Sequence, residues 1–226
     1  TALIVGYAKN GKGKHSLQFY DEMIASGIKP DFVTFIGLLF ACSHAGLVEH
    51  GRQYFESMDK VYGIKPCLDH YACMIDLLGR SGKMQEAKEL LNQMVVEPDA
   101  TVWKALLAAC RVHGDLELAE RAATTLFELE PRNAMAYVTL ANMYSATGKW
   151  EDAARIRRLM KWRGITKEPG CSWIEMNSKV HTFMSEDRNH PRTDEIYSKV
   201  DEIMILIKEA GYVPDMNFAL HDVDEE

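Results

Sequence analysis

No stretch of eighteen apolar residues occurs in the 226-residue chain, so no segment has the length and apolarity of a membrane-spanning helix. Cysteine is sparse and shows no pairing pattern. The five residues, Cys42, Cys67, Cys73, Cys110 and Cys171, are odd in number and widely spaced, which argues against a disulfide framework and predicts buried free thiols. That state fits a reducing compartment. Phosphate-binding glycine loops are missing, since Gly11-Lys12-Gly13-Lys14 lacks the full spacing, and no Gly-x-Ser-x-Gly elbow exists. Positive charge is also short, with 26 Lys and Arg against 33 Asp and Glu, net −7, which argues against a general polyanion binder. The deficit is local. From Asp201 onward there are eight acids and one Lys208, so residues 1–200 are formally neutral. Binding of a polyanion there needs specific contacts or many more repeats. The chain opens on Thr1, not Met, and is read as a piece of a longer protein, so a missing leader says nothing of location.

What is present is a repeat. Glycines recur at Gly11, Gly46, Gly82, Gly114 and Gly148, in steps of 35, 36, 32 and 34. A small residue follows each five positions later: Ser16, Gly51, Ala87, Ala119, Ala153. An aromatic precedes the last four by eleven positions: Phe35, Tyr71, Trp103, Tyr137. Prolines at Pro30, Pro66, Pro98 and Pro131 close four units. The apolar segment Tyr71 to Leu78 suits a buried first helix, the glycine ends it, and Met84 to Leu91 gives a second helix that approaches closely at Ala87. A single hairpin cannot bury its own face, so stacked hairpins share one continuous core. The expectation is an all-α solenoid of units 1–31, 32–67, 68–99, 100–133 and 134–167. The spacing alone leaves tetratricopeptide and pentatricopeptide repeats both open.

The words inside the units go further. Gly27-Ile28-Lys29-Pro30-Asp31 with Val33-Thr34-Phe35 resembles a pentatricopeptide repeat junction. Phe40 to Val48 resembles a long-type repeat, and His70 to Arg80 a short-type repeat, of the plant subclass with mixed repeat lengths. Trp103 to Arg111 is similar to the first extension (E) motif of that subclass, and 134–167 to the second. Lys167 to Glu175 resembles the PG box, and Gly211 to Asp215 with Leu220 to Val223 the segment leading into a DYW-type deaminase domain. The resemblance implies a right-handed superhelix and three regions: repeats over 1–99, two tetratricopeptide-like E motifs over 100–167, and a PG box and E+ segment over 168–226.

It also implies a specificity factor for C-to-U editing of mitochondrial or chloroplast transcripts. Such a factor binds single-stranded RNA and recruits a DYW-type deaminase or helper protein, here through 100–226. Repeats of this kind read about one base each through two or three side chains. The reading pair is the residue after the aromatic slot and the last residue of the unit. In the first unit these are Thr1 and Asp31, a pair that in the family favours guanine; Asp31 is equally suited to cap the next helix. Ile36 with Cys67, and Ala72 with Asp99, offer no obvious base-specific pattern. Lys104, in the first slot of 100–133, reads as a phosphate contact or a solvated side chain.

A zinc cytidine deaminase needs His-x-Glu and a later Cys-x-x-Cys. None of the eight histidines is followed two positions later by Glu, and no two cysteines are three apart. No catalytic residue, metal ligand or cofactor is therefore expected in this chain. Cys110 and His113 have a ligand-like spacing, but a helix end with a C-terminal His explains them better. His221 to Glu225 reads as a solvated acidic tail. After the repeats, Ser172 to Glu175, a turn at Asn177-Ser178, and Val180 to Phe183 predict a β-hairpin. A helix starting near Pro191 carries Ile196, Val200, Ile203, Met204 and Ile207 on one face and ends at Gly211. The hairpin is expected to pack on the last repeat or on this helix, because a lone hairpin is marginal in water. Two other readings stay open: a tetratricopeptide-like protein scaffold without an RNA role, and a deaminase whose catalytic part lies outside this chain.

Overall fold

The repeat period resolves into five helical hairpins. They are α1 (Ala2–Lys9) with α2 (Gly13–Ala25), α3 (Phe32–Ala45) with α4 (Val48–Lys60), α5 (Leu68–Arg80) with α6 (Met84–Asn92), α7 (Ala100–His113) with α8 (Leu116–Leu129), and α9 (Ala134–Ala146) with α10 (Trp150–Trp162). The computed structural model describes residues 1–184 and 187–213, and the chain divides into two compact units, Thr1–Ile165 and Thr166–Glu226. All five hairpins belong to the first unit. Among the described residues no helix is long and apolar enough to cross a membrane.

Local chemistry sets the helix ends. Gly46 and Gly114 stop α3 and α7 in the left-handed region, at φ 67° and 71°, where a Cβ would be strained. Asp31, Asp99, Asp115 and Asn133 cap α3, α7, α8 and α9 by accepting backbone N–H bonds. Each such cap contributes about 1 kcal/mol.

Packing follows the markers seen in the sequence. Each first helix lies against the next first helix and against its own second helix. Phe35, Trp103 and Tyr137 are buried, and Tyr71 is half-buried. The aromatic slot thus forms the core. Tyr137 stacks on Phe127 at 4.0 Å between centroids. The small-residue slot lets helices close up: Ser16, Ala87 and Ala119 are fully buried. Ser16 offsets its polar atom by donating Oγ to Ile4 O at 2.8 Å. At Gly79 of α5 an added Cβ would collide with Ala109 Cβ of α7, so these two helices meet backbone to side chain.

The second unit holds the expected hairpin, β1 (Cys171–Met176) antiparallel to β2 (Lys179–Met184), with Trp173 opposite Thr182. Asn177 and Ser178 take φ of 52° and 59°, as a two-residue type I′ turn requires. Helix α11 (Thr193–Glu209) begins two residues after Pro191, later than the sequence suggests, with Arg192 at its N-cap. The hairpin meets the entry to this helix: His181 Nδ1 lies 2.9 Å from His190 Nε2, and Phe183 lies 5.4 Å from the His190 ring. Residues 214–226, which include most of the DYW-like stretch and the acidic tail, lie outside the described residues.

Candidate nucleic-acid interface

Helix stacking brings together Thr1 and Asp31, the two residues expected to form the first reading pair. Thr1 is the N-cap of α1 and Asp31 the N-cap of α3, and the two helices pack side by side. Thr1 Oγ1 therefore reaches Asp31 Oδ1 at 3.3 Å although 30 residues separate them. Both residues are exposed. Asp31 also performs the capping role, accepting from Thr34 N at 2.7 Å. Partial burial pushes the Asp31 carboxyl upward, but hydrogen bonds from Thr34 and Thr1 outweigh it and hold the group below its usual range.

The other pairs differ. Ile36 is half-buried and Cys67 exposed at the start of α5. Cys67 N–H donates to His70 Nδ1 at 3.1 Å, and Cys67 Sγ lies 3.0 Å from the same nitrogen. His70 Nε2 therefore carries the hydrogen and donates to Phe32 O at 2.9 Å. This fully buried imidazole ties the start of α5 to the start of α3. Burial holds its pKa below the usual histidine value, against smaller opposing effects of Phe32 and Asp69. Ala72 is buried and offers no polar side-chain atom. Asp99 Oδ1 accepts from Thr101 N and Val102 N at 3.0 and 3.1 Å.

Lys104 is not a lone solvated side chain. Its Nζ lies 2.7 Å from Glu130 Oε1, while Asn133 donates to the other oxygen of that carboxylate. Lys104, at the position Thr1 holds in the first hairpin, is thus engaged by Glu130, and Asn133, the last residue of the unit, bonds the same carboxylate.

The second unit carries a cleft of about 730 Å³ between the β-hairpin and α11, lined by Ile174, Phe183, His190, Arg192 and Ile196 among others. Arg192 forms a two-pronged pair with Glu195. Among the described residues, no three His, Cys, Asp or Glu side chains come together as a metal site. Cys110 is buried, and His113 bonds through Nε2 to Gly79 O of the preceding hairpin.

Sequence reasoning missed Thr34, His70 and Glu130. The Asp-x-x-Thr spacing of Asp31 and Thr34 is a capping-box signal and was available for the first. His70 stands three residues after the Cys67 cap, but its partner Phe32 is 38 residues away, and the partner of Glu130, Lys104, is 26 residues away.

Five stacked helical hairpins with polar N-cap clusters between successive first helices define a helical-repeat protein with a small hairpin-and-helix unit after the repeats. Models of the pentatricopeptide repeat family match residues 1–44, 33–61 and 69–97, the E motif matches 113–175, and the E+ motif matches 180–205. The chain is 51% identical over 227 residues to pentatricopeptide repeat-containing protein At5g40410, mitochondrial, of Arabidopsis thaliana, covering all of this chain and 37% of that protein. It is 49% identical over 226 residues to At2g22070 of the same plant, covering 29% of that protein. The chain belongs to the pentatricopeptide repeat proteins that carry E and E+ motifs. It spans roughly a third of the length of these curated relatives. Among solved structures, maize pentatricopeptide repeat protein PPR10 in complex with an 18-nt psaJ RNA element matches with a TM-score of 0.59 at 20% identity, over 72% of this chain and 24% of that one. The nuclear protein-only RNase P PRORP2 of Arabidopsis thaliana matches at 0.55 and 17% identity, over 70% of this chain and 36% of that one. Both support the hairpin-repeat fold.

Proposed function

We propose that this chain is part of a specificity factor for C-to-U editing of mitochondrial or chloroplast transcripts. Residues 1–99 contact single-stranded RNA, and 100–226 dock a cytidine deaminase or helper protein, with the chemistry residing in the recruited deaminase. The observation that carries the RNA half is the Thr1–Asp31 pair, exposed and 3.3 Å apart at the junction of two first helices. A hydroxyl and a carboxylate so placed suit the polar edge of a purine, guanine above all. Support comes from the order of repeats, E motif and E+ motif along the chain. The RNA-bound neighbour with the same fold adds to it. The docking half is supported by the Lys104–Glu130 ion pair, which engages the first reading position of the fourth hairpin.

Sequencing organelle transcripts in a null mutant tests the reading. It should reveal at least one cytidine no longer converted to uridine; a full complement of editing events would overturn it. That same ion pair favours a second reading, in which the hairpins over 100–167 are a protein scaffold and the protein has no RNA role. Absence of RNA binding by the native protein, with partner binding retained, would select it.

A further inference from the structure

Thr34 stands at the centre of the first reading pair and is fully buried. Its Oγ1 lies 2.6 Å from Asp31 Oδ1, 2.8 Å from Thr1 Oγ1 and 3.3 Å from Asp31 N. A hydroxyl carries one proton, and an ionised carboxylate only accepts. The 2.6 Å contact therefore takes the Thr34 proton to Asp31 Oδ1. The Thr34 oxygen is left as an acceptor, facing Asp31 N–H and the Thr1 hydroxyl. The Thr1 proton in turn points inward, toward Thr34 Oγ1 or Asp31 Oδ1. Among the described residues every hydrogen bond to this carboxylate falls on Oδ1, from Thr34 N, Thr34 Oγ1 and Thr1 Oγ1. What the pair offers outward is then two acceptors: the Thr1 lone pairs and Asp31 Oδ2.

Two adjacent acceptors match one base edge. Guanine places N1–H beside its N2 amino group. Adenine and cytosine set one amino donor beside a ring nitrogen that accepts, and uracil sets one N–H between two carbonyls. We propose that Thr34 is a positioning residue for base selection, its buried hydroxyl orienting the Thr1 proton inward and freeing Asp31 Oδ2, so that the pair selects guanine. The inference rests on the reading of Thr1 and Asp31 given above. It is particular to this junction: the residue three after the cap is His70 in α5 and Val102 in α7, and neither repeats this arrangement.

The test uses the native full-length protein and RNAs that differ only at the nucleotide facing this junction. Thr34→Val removes the hydroxyl at nearly constant shape and takes away the shorter of the two inward contacts, leaving the Thr1 proton only the 3.3 Å contact to Asp31 Oδ1, so that it turns outward at less cost. A donor beside an acceptor then fits adenine. The guanine-over-adenine affinity ratio should fall roughly tenfold, and Thr34→Ser, which keeps the hydroxyl, should preserve it. Thr34→Ala is the second variant, with circular dichroism reporting the fold of each. An unchanged ratio in folded Thr34→Val or Thr34→Ala, where Asp31→Asn does change base preference, overturns the role of Thr34 alone. A profile that Asp31→Asn also leaves unchanged overturns the underlying reading of the pair.

Discussion

Glu130 Oε1 sits 2.7 Å from Lys104 Nζ, joining the first helix of the fourth hairpin to the loop that ends it. The pair from Lys104, then the bond from Asn133, hold the Glu130 carboxyl below the usual range. A depressed carboxylate stabilises the fold above its unfolded pKa, and that contribution is lost as pH falls through the lower folded value. Both side chains are about a third exposed, so the pair is a modest contributor to stability. Its larger effect is on charge. With RNA contact proposed for residues 1–99, the Lys104 freed by Glu130→Gln should leave the salt dependence of RNA binding unchanged. Titrations at several salt concentrations check this, and a slope steeper by about one unit would place Lys104 on the RNA.

His70 should make stability depend on pH in the acid direction. Burial lowers its folded pKa below the unfolded value of about 6.5. The neutral ring then stabilises the fold above that value, and this is lost as pH drops through the folded pKa. The melting temperature should fall as pH drops below about 6.5, and His70→Ala should flatten that part of the profile. The same substitution leaves Phe32 O without its donor and opens a void, costing about 2–4 kcal/mol in denaturant unfolding.

Two glycines in helices should respond to alanine with opposite sign. At Gly79 the new Cβ meets Ala109 Cβ of the neighbouring helix, which has no rotamer to yield. Gly79→Ala should destabilise by about 1–3 kcal/mol. At Gly6 an added Cβ meets nothing within 4 Å, so Gly6→Ala should stabilise by about 0.5–1 kcal/mol through helix propensity. Chemical denaturation of the two variants side by side tests the pair. A loss at Gly6 would show that α1 is held by something other than its helical backbone.

The five thiols should separate into two classes. Cys67 and Cys171 are exposed, whereas burial pushes Cys42, Cys73 and Cys110 up to about 12. Alkylation of the native chain near pH 8, followed by mass spectrometry, should label Cys67 and Cys171 quickly and the other three only after unfolding. Rapid labelling of Cys110 would mean that the α7–α8 hairpin opens locally.

The sequence by itself determined the hairpin count, the helix ends and the core positions. Glycine, proline and capping residues act within a few residues of themselves, and Phe35, Trp103 and Tyr137 announce burial by their period. The C-terminal hairpin was legible too, because Asn177-Ser178 can turn where β-branched and aromatic residues alternate. The state of the candidate site was decided only by tertiary structure. Stacking α1 on α3 sets the Thr34 hydroxyl between Thr1 and Asp31, 2.8 and 2.6 Å from their side-chain oxygens. In the fourth hairpin it is folding that joins Lys104 to a carboxylate 26 residues away. Local preferences act over one turn of chain, whereas the donor and acceptor pattern a base would meet is written between repeats, across contacts that exist only once the hairpins have stacked.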